Sequence, residues 1–145
     1  MAITSKVYGH FPEKISNKEI DFDTDTIKIM LCSDSYLVSQ DNDEYKSDVT
    51  NEVSGTGYTA GGETLTGKSI EYASGDSKVV TLYASAIEWR NITATFRYAV
   101  IYCDTGTDST SALISYIDFG SDIELEGIKL IITLDSNRVV TFTIE

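Results

Sequence analysis

Residues 92–102 read Ile-Thr-Ala-Thr-Phe-Arg-Tyr-Ala-Val-Ile-Tyr, and this stretch decides the fold class. Apolar or aromatic residues occupy every second position, which is the period of a β-strand with one face in a core. The positions between them are mixed, so we expect the opposite face to be less apolar. The predicted core face consists of Ile92, Ala94, Phe96, Tyr98, Val100 and Tyr102.

Similar patterns on both sides of this stretch predict further strands. They cover residues 26–31, 64–72, 78–85, 87–90, 112–119, 128–134 and 140–144. Turn residues separate them, and the turn Asp135-Ser136-Asn137 predicts a hairpin between the last two strands. About eight closely spaced strands are typical of an all-β fold, an antiparallel β-sandwich with a jelly-roll-like arrangement.

Helical signal is confined to two short segments. Residues 12–20 begin with Pro12, which suits the first turn of a helix, and residues 41–49 carry acidic residues near their start. Neither segment is long enough to cover a parallel sheet, so an α/β fold is not expected. The length of 145 residues predicts a single domain that spans residues 1–145.

The composition excludes several function classes. The 23 acidic and 11 basic residues give a net charge of −12, and such a surface repels nucleic-acid phosphates. No apolar run approaches the ~20 residues that cross a bilayer, and the first residues lack a signal-peptide pattern. We therefore expect a protein made in the cytoplasm that binds neither nucleic acid nor membrane, with Cys32 and Cys103 as buried, reduced thiols.

Two segments imitate catalytic motifs. Residues 62–69 match the phosphate-loop pattern G-x-x-x-x-G-K-[ST], but an alternating, strand-like segment follows where that motif requires a helix. Asp104-Thr105-Gly106 resembles the triplet of dimeric aspartic proteases, but its glycine-rich loop lies upstream of the triplet. We interpret the first as a turn that enters an edge strand and the second as a hairpin loop, and we expect no enzymatic activity.

The remaining polar residues that could act in catalysis or bind a metal do not match the spacing of a known catalytic or metal-binding motif. Asp21, Asp23 and Asp25 alternate, and residues 41–44 are acidic, which leaves weak surface calcium binding open. Neither stretch has the glycine and distal glutamate of a calcium loop. His10 is the single histidine, and we interpret it as a surface or packing residue. No cofactor is expected.

Three stretches carry a resemblance to a known group of proteins. They are residues 21–31, which include Asp-Thr-Asp-Thr-Ile-Lys-Ile-Met-Leu, residues 48–65, and the run from residue 94 to residue 120. Together they resemble small virion structural proteins of tailed bacteriophages. The resemblance implies a non-enzymatic capsid decoration (cement) protein on the outer surface of the phage head, with the major capsid protein as its partner. It also makes a homotrimer the first expectation.

A second interpretation remains open beside this one. The tyrosine-rich composition also suits a head-fibre or tail component that binds a receptor or a glycan. The copy number in the particle distinguishes the two, because a decoration protein is present in far more copies than a fibre or tail component.

The contact surface is predicted in three places. Residues 1–10 form an arm with isolated apolar residues, namely Ile3, Val7 and Tyr8. The loop of residues 54–62 has four glycines that allow close approach to a partner, and Tyr58 offers a flat anchor. Arg90 and Arg97 are expected to pair with carboxylates across subunits. The glycines are Gly55, Gly57, Gly61 and Gly62.

Overall fold

The computed structural model describes residues 3–144 of the chain. It contains eight strands and one α-helix in the order β1, α1, β2 to β8, and every strand pair is antiparallel. The strands are β1 (Thr4–Val7), β2 (Ile27–Cys32), β3 (Glu63–Thr64), β4 (Ser69–Ala73), β5 (Val79–Tyr83), β6 (Ile87–Cys103), β7 (Leu113–Ile132) and β8 (Arg138–Thr143). The all-β, sandwich-like prediction is confirmed.

The strands form two sheets. A five-stranded sheet has the order β1-β7-β6-β2-β3, and a three-stranded sheet has the order β4-β5-β8. The main core lies between them and contains Trp89, Phe96, Ile29 and Leu82. No helix in residues 3–144 has the length and apolar character needed to cross a membrane.

The single helix, α1 (Phe11–Ser16), lies within the first segment predicted to be helical. Pro12 occupies its first turn, as expected, and Lys18 at φ 68° follows its end. The second predicted segment contains only one 3₁₀ turn, Lys46–Asp48. Both segments lie in connections between strands.

An irregular pairing of β6 with β7 contradicts the predicted single core face of residues 92–102. Between Phe96 and Tyr98 the two residue steps of β6 lie opposite the five steps from Ile123 to Asp118 in β7. The register therefore shifts by an odd number of residues, and an odd shift exchanges the two faces of a strand. Phe96 therefore lies in the main core, whereas Tyr98 lies on the opposite face of the sheet. From Tyr98 to Cys103 both faces of β6 are buried.

The opposite face of the five-stranded sheet carries a second core. The segment of residues 33–51 covers it. This explains why apolar residues are continuous in β6 after Arg97, because a strand buried on both faces loses its polar alternation. The buried residues of this second core are Tyr8, Met30, Cys32, Tyr36, Tyr98, Val100, Tyr102, Leu113 and Tyr116.

The predicted C-terminal hairpin is wrong. The turn at Asp135–Asn137 is present, and Ser136 and Asn137 both adopt positive φ there. The strand that follows, β8, pairs with β5 and not with β7. The turn therefore carries the chain from one sheet to the other, which closes the main core at this end.

Candidate functional site

The predicted N-terminal arm is an edge strand of the five-stranded sheet. Residues 4–7 form β1 and pair with β7, and Val7 packs against the main core. Tyr8, also a predicted contact residue, is fully buried within its own chain. Ile3 remains 65% exposed and is available for a contact. Met1 and Ala2 of this arm lie outside the described residues.

Tyr8 belongs to a buried hydrogen-bond chain in the second core. Its hydroxyl lies 2.9 Å from that of Tyr36, which donates to Asp43 Oδ2 at 2.7 Å. The backbone N–H of Ser39 donates to the same carboxylate oxygen. Burial raises the pKa of both tyrosines above the ordinary value of 10.0, so both hydroxyls keep their protons. This chain fixes the segment of residues 33–51 to the sheet.

The glycine-rich loop packs against its own chain. A Cβ atom on Gly62 (φ 80°) would lie 1.8 Å from the carbonyl oxygen of Ile29 in β2. One on Gly57 (φ 78°) would lie 2.5 Å from the oxygen of Asn91 in β6. Gly55 stands equally close to β6. The predicted close approach is present, but the partner is the protein's own five-stranded sheet.

Side-chain hydrogen bonds complete this intramolecular attachment of the loop. The Tyr58 hydroxyl donates to Glu52 Oε2 at 2.6 Å and accepts the N–H of Leu31. Glu52 Oε2 also accepts the N–H of buried Gly61, and the Gly61 carbonyl accepts the hydroxyl of Tyr102 at 2.6 Å. Burial raises the pKa of Tyr58, which therefore remains a donor. Tyr58 is partly buried and anchors the loop within its own chain, and its predicted contact to another molecule stays a prediction.

The two predicted arginine contacts have different surroundings. Arg97 forms a two-pronged pair with Asp118 on the adjacent strand, at 2.9 and 3.2 Å, so its carboxylate partner lies in the same chain. Arg90 is 84% exposed and donates through Nε to Glu88 Oε1 at 2.6 Å, within its own strand. Of the two, Arg90 has a guanidinium that faces solvent and can reach another molecule.

The residues of the phosphate-loop imitation build a connection between the sheets. Residues 62–69 run from β3 into β4, so a strand follows the motif. The Lys68 ammonium donates to the carbonyl oxygens of Phe22, at 2.8 Å, and of Asp25. Lys68 therefore holds the residue 22–25 turn against the start of β4, and its charge is directed at the backbone.

The protease-like triplet forms the start of the β6–β7 loop. Asp104 accepts the N–H of Gly106 at 3.0 Å and pairs with Lys28 at 2.9 Å. Partial burial opposes ionisation of Asp104, but these two donors outweigh it and lower the pKa of its carboxyl below 3.8. These contacts agree with the interpretation as a hairpin loop.

Both cysteines are free and buried, as the sequence predicts. Burial raises the pKa of each thiol to about 12, so neither is a thiolate near neutral pH. The Cys103 thiol lies 3.4 Å from a carboxylate oxygen of Asp25. That same oxygen accepts the N–H of Asp21, so these acidic residues stabilise a local turn.

A charged cluster that the sequence analysis did not identify surrounds Lys14. His10, Glu13 and Glu44 bring potential metal ligands within 4.8 Å of one another. The Lys14 ammonium, only 4% exposed, pairs with Glu44 and with Glu19 at 3.4 Å. Burial opposes the charge on Lys14, but these acidic partners raise its pKa above 10.5. A lysine already supplies the cation of this cluster.

An apolar surface that sequence analysis also missed lies on β4. Ile70 and Tyr72 are 49% and 56% exposed, although both belong to the sheet face that lines the core. Their alternation with Glu71 is visible in the sequence and was interpreted as a polar edge strand. What the sequence does not reveal is that the core leaves this strand uncovered.

Comparison of the chain with models of protein families, with curated proteins and with solved structures found no match.

Proposed function

We propose that this protein is a non-enzymatic structural component of a tailed-phage virion, a decoration protein that binds the outer surface of the head shell. The major capsid protein is its proposed partner, and the protein is made in the host cytoplasm before assembly. A homotrimer is the proposed assembly state. The support for this proposal comes from the sequence and structure of the chain itself.

One observation carries the proposal: the three stretches that resemble virion structural proteins pack into one unit. The loop of residues 48–65 lies across β2 and β6, where Gly62 touches Ile29 and Gly55 touches Thr93. Tyr102 of the third stretch donates to Gly61 of the second. These three segments form a glycine-rich loop fixed to a sheet, which supports a structural role.

The side chains that imitate catalytic motifs support the same interpretation. Lys68 binds backbone carbonyls, and Asp104 pairs with Lys28. Each has a structural partner that would have to be displaced before the group could act on a substrate. A decoration protein requires rigidity and a contact face, and intramolecular contacts of this kind provide rigidity.

The decisive test measures the protein in particles of the phage that encodes it. We expect mass spectrometry of purified virions to find hundreds of copies per particle, and we expect the isolated protein to bind empty heads. About a dozen copies would favour the fibre or tail alternative. Absence from purified virions would refute both roles.

The remaining contact residues are tested on the same empty heads. We expect Arg90→Glu to reduce occupancy, since its guanidinium is 84% exposed and can reach a shell carboxylate beyond its pair with Glu88. Arg97→Gln serves as the comparison, because Arg97 is held by Asp118 within the chain. Light scattering tests the trimer separately, and a dimer in solution would contradict it.

A further inference from the structure

The core-facing side of the three-stranded sheet loses its cover from β8 towards β4. Val140, Leu82 and Ile70 stand opposite one another on β8, β5 and β4, and their exposed fractions are 3%, 4% and 49%. In the next row Phe142 and Val80 are half-buried, whereas Tyr72 is 56% exposed. The main core thus covers two strands of this sheet and leaves the third open.

An apolar groove runs beside this open strand. It has a volume of about 540 Å³ and lies between the sheet and the segment that follows α1. Grooves of this size and apolar character are typical of binding sites. Its apolar lining includes Ile15, Ile20, Phe22, Ile70, Val80 and Phe142.

The outer edge of β4 offers backbone hydrogen-bonding groups. β4 is the terminal strand of its sheet, and no other strand in residues 3–144 pairs with its outer side. Four of its five residues are exposed. An open edge beside an apolar face is a template for an added strand, unless charge or proline blocks it. β4 contains one charged residue and no proline.

That charged residue is Glu71, which places a negative charge beside the free edge of β4. It alternates with Ile70 and Tyr72 and therefore points to the other face of the sheet. It is exposed and makes no ion pair with the described residues. Lys68 turns away from it to bind backbone carbonyls. At the groove itself, Lys18 and Asp21 offset one another.

We propose that β4 and this groove bind an extended segment of another protein in which apolar residues alternate with lysine or arginine. The segment pairs with the free edge of β4 as an additional strand. Its apolar side chains cover Ile70 and Tyr72 and enter the groove, while a basic side chain lies beside Glu71 on the other face. Main-chain hydrogen bonds supply affinity, and the two faces supply specificity.

A second copy of this chain fits this edge poorly, so the proposed trimer would associate through other surfaces. Each copy has a net charge of −12. Most of its basic side chains, such as Lys28, Lys46 and Arg97, already pair with carboxylates of the same chain. The occupant is therefore a basic segment of a different protein. This inference does not depend on the proposed role in a virion.

The test uses the full chain and a short soluble peptide that alternates valine with lysine. We expect this peptide to bind, to shift the backbone amide NMR signals of β4, and to bind Ile70→Asp and Tyr72→Asp about tenfold more weakly. Leu37→Asp is the matched control, because Leu37 is an exposed apolar residue away from the groove. Circular dichroism verifies that each variant is folded.

Two further arms separate strand pairing from simple charge attraction. Glu71→Lys should transfer the preference to a peptide that alternates valine with glutamate, and N-methylation of the peptide backbone should abolish binding. Equal binding of the N-methylated peptide, or an unchanged affinity for Ile70→Asp, would overturn the proposal. So would a dimer of the free chain that Ile70→Asp dissociates, since the second copy would then be the occupant.

Discussion

At Gly62 the loop backbone passes so close to β2 that no side chain fits between them. We expect Gly62→Ala to lower the free energy of unfolding by several kcal/mol, because a Cβ atom there would lie 1.8 Å from a carbonyl oxygen. Gly75→Ala is the matched control: Gly75 has a similar φ of 84° but nothing within 4 Å of an added Cβ. The control should cost only about 1–2 kcal/mol, the penalty of left-handed backbone. Equal losses in urea denaturation would contradict this account.

The Tyr36 hydroxyl should contribute more to stability than an exposed hydroxyl, because it donates a hydrogen bond to the buried carboxylate of Asp43. Tyr36→Phe leaves Asp43 with one donor fewer in a site closed to water, so we expect a loss of about 1–3 kcal/mol in the free energy of unfolding. Tyr72→Phe removes a hydroxyl at an exposed position and should change it little. If both variants unfold at the same urea concentration as the parent, the hydrogen-bond chain does not hold the residue 33–51 segment.

The ion pair between Arg97 of β6 and Asp118 of β7 makes the stability of the strand pair depend on pH in the acid range. The Arg97 guanidinium lowers the pKa of Asp118 below its ordinary 3.8. A lowered pKa adds stability above 3.8, and this contribution disappears as the pH falls through the folded-state value. We therefore expect Asp118→Asn to be less stable than the parent near neutral pH and to approach it in strong acid. Asp122→Asn, at an exposed position of the same strand, is the control variant. A constant difference between Asp118→Asn and the parent across the acid range would show that no titration is involved.

Strand existence could be read from alternation, but strand pairing could not. The predicted segments 87–90 and 92–102 merge into β6, and 112–119 and 128–134 merge into β7. The irregular pairing of β6 with β7 after Phe96 lies where apolar residues begin to occupy both faces of β6. The alternation that would show a change of face is therefore absent from the sequence there. The turn residues at Asp135–Asn137 predict a reversal of the chain, but they do not determine which sheet β8 joins. The internal contacts of Tyr8 and Tyr58 cannot be predicted from sequence, because an aromatic residue near glycine has the same sequence signature in a core and at an interface.

At the scale of the whole molecule, repulsion among surplus negative charges adds to the conformational entropy that opposes folding. The chain has 23 acidic and 11 basic residues, and most of the basic ones already have partners. We expect the free energy of unfolding in urea to rise as sodium chloride increases from about 0.01 M to about 0.3 M, because screening relieves the surplus negative charge. The screening of exposed ion pairs acts in the opposite direction but is smaller. A fall in stability over this range would mean that the ion pairs outweigh the repulsion.

The length of the β6–β7 pair also has a consequence for how the chain folds. Its two strands are joined by one short loop, so they can zip together with a small loss of chain entropy. β1 must wait for this hairpin, since the register joins Thr4 to Asp118 across most of the sequence. We therefore expect the central hairpin to form the folding nucleus and the two ends of the chain to dock last. During synthesis on the ribosome, β1 would remain without its partner strand until β7 emerges.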